Sequence, residues 1–207
     1  MGRYGLERLS ITKDALLEKT FRQWTARKDA VQARISIYEK IRDIPYAVLP
    51  ELNSAGRFAD ILALGRGSCT PKHFLLCNMF QRLGLMVLFA VYPFRWGEPA
   101  EVMVDSLEPL KKMTGKLPMS HHLACRVEID GRLVLVDATL DLPLGKAGLV
   151  VNQKWDGFSD TLLPVTPLGE EQLFHPAEAH LMEARSGRQW LEFYAELNNC
   201  LELVRQA

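Results

Sequence analysis

The chain has few cysteines and no paired ones. Cys69, Cys77, Cys125 and Cys200 are the only four in 207 residues, and none stands in a CxxC or other tight pair. That argues against a disulfide framework and for a reducing, cytoplasmic setting. No apolar run approaches the roughly 18 residues a membrane span needs, and Met1–Glu7 carries no signal-peptide core. Leu6 stands where an N-myristoylation motif wants Ser or Thr. Charge of one sign is not in excess either: 25 Lys and Arg balance 25 Asp and Glu. Whole-chain electrostatics therefore give no reason to expect nucleic acid or an anionic membrane as partner. Residues 1–42 carry ten basic residues against five acidic, but spread along an amphipathic pattern, which reads as a solvated helix face. A phosphate-binding loop is missing: Gly65-x-Gly67 has no third glycine and no Gly-Lys-Ser/Thr follows. Repeats, low-complexity tracts and linkers are absent, so one domain over 1–207 is expected, with no cofactor.

What is present is a glycine-bearing loop, Gly65-Arg66-Gly67-Ser68-Cys69, running into the apolar stretch 74–80. It predicts a turn that delivers Cys69 to the start of a buried helix, with Thr70 as N-cap and Pro71 at the first helical position. The helix runs to about Leu83 and stops at Gly84. A thiol placed there faces unpaired N–H groups and the positive end of the helix dipole, both of which favour thiolate. Lys72 and His73 add cationic character.

Around this stretch, apolar spacing predicts helix from Asp14 to Ile44, broken at Arg27-Lys28-Asp29 and ended by Pro45. This helical region covers about 1–45, a core about 46–165, and C-terminal helices about 170–207. A short helix is expected at Arg57–Leu64, with Gly65 as C-cap. Leu85–Phe94 reads as a buried strand. Leu123–Ile129 and Leu133–Asp137 are strands joined by Asp130-Gly131, a strong hairpin signal. Residues 95–120 read as a loop with one short element and 138–168 as a loop, both walling a cleft, with Trp96, Trp155 and Phe158 as candidate contacts. Pro176 opens a short helix. A longer one after Gly187 carries Trp190, Tyr194, Leu197, Leu201 and Val204 on one face. The class is α+β, with helices at both ends packed on a small antiparallel sheet.

A thiolate needs a base, and the base an orienting partner. Alternation puts Leu123, Cys125, Val127 and Ile129 on the apolar face, with His121 in the same set. His122, Ala124, Arg126 and Glu128 share the other face. His122 and Asp137 flank the hairpin at similar distances from its turn, so they are expected to be cross-strand neighbours. A metal site is weakly indicated: His73 and Cys77 are i, i+4, but His175 and His180 supply no convincing second pair, and Cys77 and Cys125 read as core.

The segment Gly65–Cys69 with its helix ending Arg82-Leu83-Gly84 resembles the cysteine box of the transglutaminase-like superfamily. The segment from His122 through Asp130-Gly131 to Asp137-Ala138-Thr139 resembles its histidine and aspartate boxes, and Ile41–Tyr46 its lead-in. The similarity covers about residues 35–142. One departure is Ala124, where an aromatic often stands two residues after the histidine. The resemblance implies a papain-like α+β core with Cys69 as nucleophile, His122 as general base and acid, and Asp137 as orienter. It further implies a peptide or other amide-containing substrate and a thioester acyl-enzyme, resolved by water or an amine. One oxyanion donor would be the Cys69 backbone N–H. Two alternatives stay open: a non-catalytic interaction module on the same fold, and an arylamine N-acetyltransferase-like acyltransferase.

Overall fold

The computed structural model describes residues 3–97, 108–115, 117–178 and 188–206. Its elements are α1 (Arg3–Thr25), α2 (Ala30–Arg42), α3 (Ile61–Leu64), α4 (Cys69–Arg82), β1 (Val87–Phe94), α5 (Glu108–Thr114), β2 (Ser120–Ile129), β3 (Arg132–Val136), β4 (Gln172–Phe174) and α6 (Arg188–Gln206). Helices and one small antiparallel sheet make it an α+β protein; the strand order is β3-β2-β1-β4.

The long N-terminal helical region divides at the polar break, and α1 begins at Arg3 rather than Asp14. Arg27 takes a positive φ of 59°, and Asp29 caps α2 by accepting the Gln32 N–H at 2.8 Å. The hairpin turn is as its sequence demands. Asp130 and Gly131 have φ of 52° and 75°, the doubly left-handed pair that suits the right-handed twist of the flanking strands.

Alternation sorts the sheet into two faces. Val87, Phe89, Leu123, Cys125, Val127, Ile129, Val134 and Val136 join α2 and α4 in the main core. Ala90, Tyr92, Ala124 and Leu135 lie on the other face, against Leu163. His121 departs from its expected place with the core set: it is exposed. It lies opposite Pro93 near the far end of β2, past the start of α4, so no helix covers it.

One strand escaped the sequence pattern. β4 has only three residues, too few for a period to show. Pro176 opens a single 3₁₀ turn over 176–178; the continuation expected beyond it, with His180, lies outside the described residues, as does 98–107. Trp155 and Phe158 are not cleft residues. Trp155 is buried between Tyr38 and Phe80 and donates its Nε1–H to Ser159 O at 2.8 Å. Phe158 lies under the Arg34 guanidinium, 4.2 Å from its ring centroid. Trp96 packs on Phe94 and on Phe193 of α6.

α6 fixes the segment before the glycine loop. Asn198 grips Val48 through both backbone groups, at 2.8 and 3.0 Å. Arg205 reaches Asp141 and the Tyr46 carbonyl, each at 2.8 Å. The stripe it buries is Phe193, Leu197, Cys200, Leu201 and Val204, with Trp190 and Tyr194 half-buried beside it.

Candidate active site

The glycine loop is strung onto residues 45–47. Tyr46 and Gly67 form a parallel bridge, with Gly67 N–H donating to Pro45 O and Ala47 N–H to Gly67 O at 3.1 and 3.2 Å. A Cβ on Gly67 would come within 2.8 Å of Ile61 Cγ2, so a side chain there would force the loop away from α3. Gly65 ends α3 in the left-handed conformation, φ 66°, its N–H on Ile61 O.

α4 starts earlier than expected. Ser68, not Thr70, is the N-cap residue, Cys69 is the first helical residue and Pro71 the third. The Ser68 side chain makes no capping bond; its Oγ donates to Asn53 Oδ1 at 2.9 Å. The first-turn N–H groups beside Cys69 are thus left uncapped, and Pro71 has none to leave. The other end closes as the sequence reads, with Leu85 N–H on Phe80 O and Gly84 at φ 80°.

Cys69 is the one cysteine of the four that is not buried, and all four are free thiols. Its sulfur interacts with the His122 side chain and with the Leu123 backbone N–H. That N–H lies beyond the last β2 residue paired to β3, since the register ends at Cys125↔Val136. α4 therefore reaches β2 where β3 leaves its edge open.

His122 Nε2 lies 2.5 Å from Asp137 Oδ2, which leaves Nδ1 as the ring nitrogen for Cys69. The two residues are not directly opposed. The register places Asp137 level with Ala124, so His122 is its diagonal neighbour, two residues along, on the same face. Both are nearly sealed, at 3% and 2% exposure.

Every polar group of Asp137 is held. Its N–H donates to Thr161 Oγ1 at 2.8 Å, and its carbonyl accepts from Tyr38 Oη at 3.1 Å and Asn152 Nδ2 at 3.4 Å. Oδ1 accepts the Thr139 N–H at 2.9 Å. Such a carboxylate is pre-oriented before any ligand arrives.

The charges follow from these contacts. Burial pushes the Cys69 thiol up, but the hydrogen bond and charge of His122, with the Leu123 N–H, outweigh it and bring it below an ordinary thiol. Burial alone would neutralise His122; the charge and hydrogen bond of Asp137 reverse this and raise its pKa. Asp137 is lowered in turn, the His122 charge overcoming burial. The three shifts run the same way, each toward the charged form of its group: thiolate, imidazolium and carboxylate. By contrast, burial pushes Cys77 to about 12 and Cys125 well above its ordinary value.

Lys72 and His73 do not act as a cationic patch around the thiol. Both are fully buried. Lys72 Nζ donates to Arg42 O, Ile44 O and Thr139 O at 2.9, 2.8 and 2.6 Å, three acceptors for its three protons. His73 Nδ1 lies 2.8 Å from Cys69 O, and its Nε2 accepts the Ala138 N–H at 3.0 Å. The carbonyl must accept and the amide must donate, so the ring is neutral with its proton on Nδ1. Burial lowers its pKa to about 4. With both nitrogens engaged, His73 is not available as a metal ligand with Cys77. Among the described residues, no group of three His, Cys, Asp or Glu side chains could hold a metal ion.

This neutral histidine makes a prediction about acid. Its folded pKa lies below the ordinary 6.5, so between these values the unfolded chain binds a proton that the native protein refuses. The stability is complete above about pH 6.5 and is lost as pH falls toward 4, by about 3 kcal/mol. Urea unfolding at about pH 7 and about pH 4.5 is expected to show most of that loss; a midpoint unmoved between the two contradicts it.

Tyr38, Asn152 and Thr161 hold the site without any signal in the sequence, and His73 holds it as a neutral hydrogen-bonding ring rather than as the cation its type suggests. His73 alone had a readable signal, i+4 from Cys69 on one helix. No family model, curated protein or solved structure matches the chain. Among the described residues, no helix is long and apolar enough to cross a membrane.

Proposed function

We propose that this chain is a cysteine-dependent acyl-transfer enzyme with a papain-like core, of transglutaminase-like type, acting on an amide, peptide or ester. The observation that carries the reading is the relay itself. The sulfur of the first residue of α4 meets one side of an imidazole whose Nε2 is 2.5 Å from a buried, fully held carboxylate.

In this reading the Cys69 thiolate attacks the acyl carbonyl, and an Sγ–C bond forms as the carbonyl π pair moves to oxygen. The uncapped Cys69 N–H at the helix start receives that oxyanion. The tetrahedral adduct collapses as the C–N or C–O bond breaks, and the His122 imidazolium gives its Nδ1 proton to the departing amine or alcohol. Water or an amine then enters, gives its proton to neutral His122, and attacks the thioester carbon; collapse regenerates the thiolate beside the imidazolium. Asp137 holds the ring and balances its charge throughout. The four free thiols suit a reducing compartment, the cytoplasm among them.

The test is p-nitrophenyl acetate as acyl donor. The expected result is p-nitrophenol release with one acetyl group trapped on the Cys69 peptide by mass spectrometry. Both are lost in Cys69→Ala, whereas Cys77→Ala and Cys125→Ala keep the acetylation and lose stability by about 1–2 kcal/mol. Undiminished acetylation in Cys69→Ala contradicts the assignment.

A further inference from the structure

Two consecutive residues of α4, Lys72 and His73, reach across to the two residues that follow Asp137 at the hairpin exit. Lys72 holds Thr139 O, and His73 holds Ala138 N–H while its other nitrogen holds Cys69 O. One imidazole thus spans from the nucleophile's own carbonyl to the residue after Asp137. The His73 and His122 rings lie edge to face with centroids 6.2 Å apart.

The placement has a geometric consequence. β3 pairing ends at Val136, so no ladder sets the height of Asp137 relative to β2. The backbone there is set by side chains from elsewhere: Thr161, Tyr38 and Asn152 at Asp137, then His73 at Ala138 and Lys72 at Thr139. Only the last two come from the helix that carries Cys69.

We propose that His73 is a positioning residue, which uses its Nε2 bond to Ala138 N–H to fix Asp137, and through it His122, at the working distance from Cys69. This rests on the acyl-transfer reading of the same site. His73 never touches the reacting atoms; it acts through the backbone on either side of them. The titratable groups around it are Cys69 and Lys72 on its own helix, His122 and Cys125 on β2, and Asp137 at the end of β3. None can replace its acceptor, because the carboxylate already holds Thr139 N–H and His122.

Two variants separate the two bonds of the ring. His73→Gln can present an amide oxygen where Nε2 stood and keep the acceptor for Ala138. His73→Asn can present its amide N–H where Nδ1–H stood, keeping the bond to Cys69 O but leaving Ala138 N–H without an acceptor. The readout is iodoacetamide alkylation of Cys69 against pH, on samples folded by circular dichroism. Wild type and His73→Gln are expected to label alike at about pH 6, within about threefold, while His73→Asn labels about tenfold slower and needs higher pH. Equal slowing in both variants, or none in His73→Asn, overturns the positioning role while leaving the acyl-transfer reading in place. An ordinary thiol profile in the wild type overturns both.

A measurement on the unmodified protein guards against a variant that does not fold. The ¹⁵N resonances of His73 are expected to report a neutral ring protonated at Nδ1 from about pH 5 to about pH 8. A ring protonated at Nε2 in that range overturns the proposal.

Discussion

Asp137→Asn is expected to slow Cys69 alkylation at about pH 6 by tenfold or more, and acyl transfer by about 10³–10⁴, with little loss of fold. The size for acyl transfer is that seen when the carboxylate of a serine-protease triad becomes an amide. The argument turns on one hydrogen. Oδ1 accepts the Thr139 N–H at 2.9 Å, so the oxygen of an asparagine stays on that side and its NH₂ turns to His122. Nε2, now facing a donor, must accept, and the single ring proton moves to Nδ1. A neutral ring with its proton already on Nδ1 cannot take one from Cys69. An ordinary thiol is only about 0.3% ionised at pH 6, an effect partly offset by its greater intrinsic nucleophilicity. The bonds of the Asp137 backbone to Thr161, Tyr38 and Asn152 are untouched, which is why stability should hold. Unchanged alkylation in a folded Asp137→Asn protein contradicts the relay.

The second large effect concerns the fold rather than the chemistry. Lys72→Met keeps the aliphatic stem and removes the ammonium. Three carbonyls, of Arg42, Ile44 and Thr139, then lose their donor, two of those bonds being fully buried. Each buried orphan costs about 1–3 kcal/mol. Against this stands the cost of burying the charge itself, felt in a pKa lowered to about 7, burial outweighing Asp141, Asp137 and Asp43. The net expectation is a loss of about 2–4 kcal/mol, or roughly 6–12 °C in Tm for a chain of this size. Calorimetry decides it: a Met variant as stable as wild type means the ammonium is no net support for the end of α2, the loop after it and the hairpin exit.

The parts of the site that sequence made legible are those carried by local pattern. Asp130-Gly131 set the hairpin, apolar alternation separated the two sheet faces, and the glycine loop announced a helix near Cys69, though its cap lies two residues earlier than the Thr70-Pro71 signal suggests. Strand parity placed His122 and Asp137 on one face, and the structure agrees. Strict counting from the turn sets Asp137 level with Ala124, as the register does; treating His122 and Asp137 as equidistant from the turn overlooks that His122 lies two residues further out, so the pair meets on the diagonal. His121 was misplaced because parity says which way a side chain points and nothing about whether a helix lies above it. The clamp around Asp137 was illegible for a different reason. Tyr38 and Asn152 serve its carbonyl, Thr161 and Thr139 its amide and Oδ1, and backbone partners leave no mark on residue spacing. Lys72 and His73 looked cationic because sequence shows their types but not their burial.

The most direct test of the thiolate–imidazolium pair needs no substrate. Native protein is treated with iodoacetamide across a pH series, and the modified cysteines are mapped by mass spectrometry. Cys69 is expected to label first and selectively, with its profile displaced well below pH 8, while Cys77 and Cys125 stay unmodified until the protein unfolds. A Cys69 profile no different from that of an ordinary thiol contradicts the account.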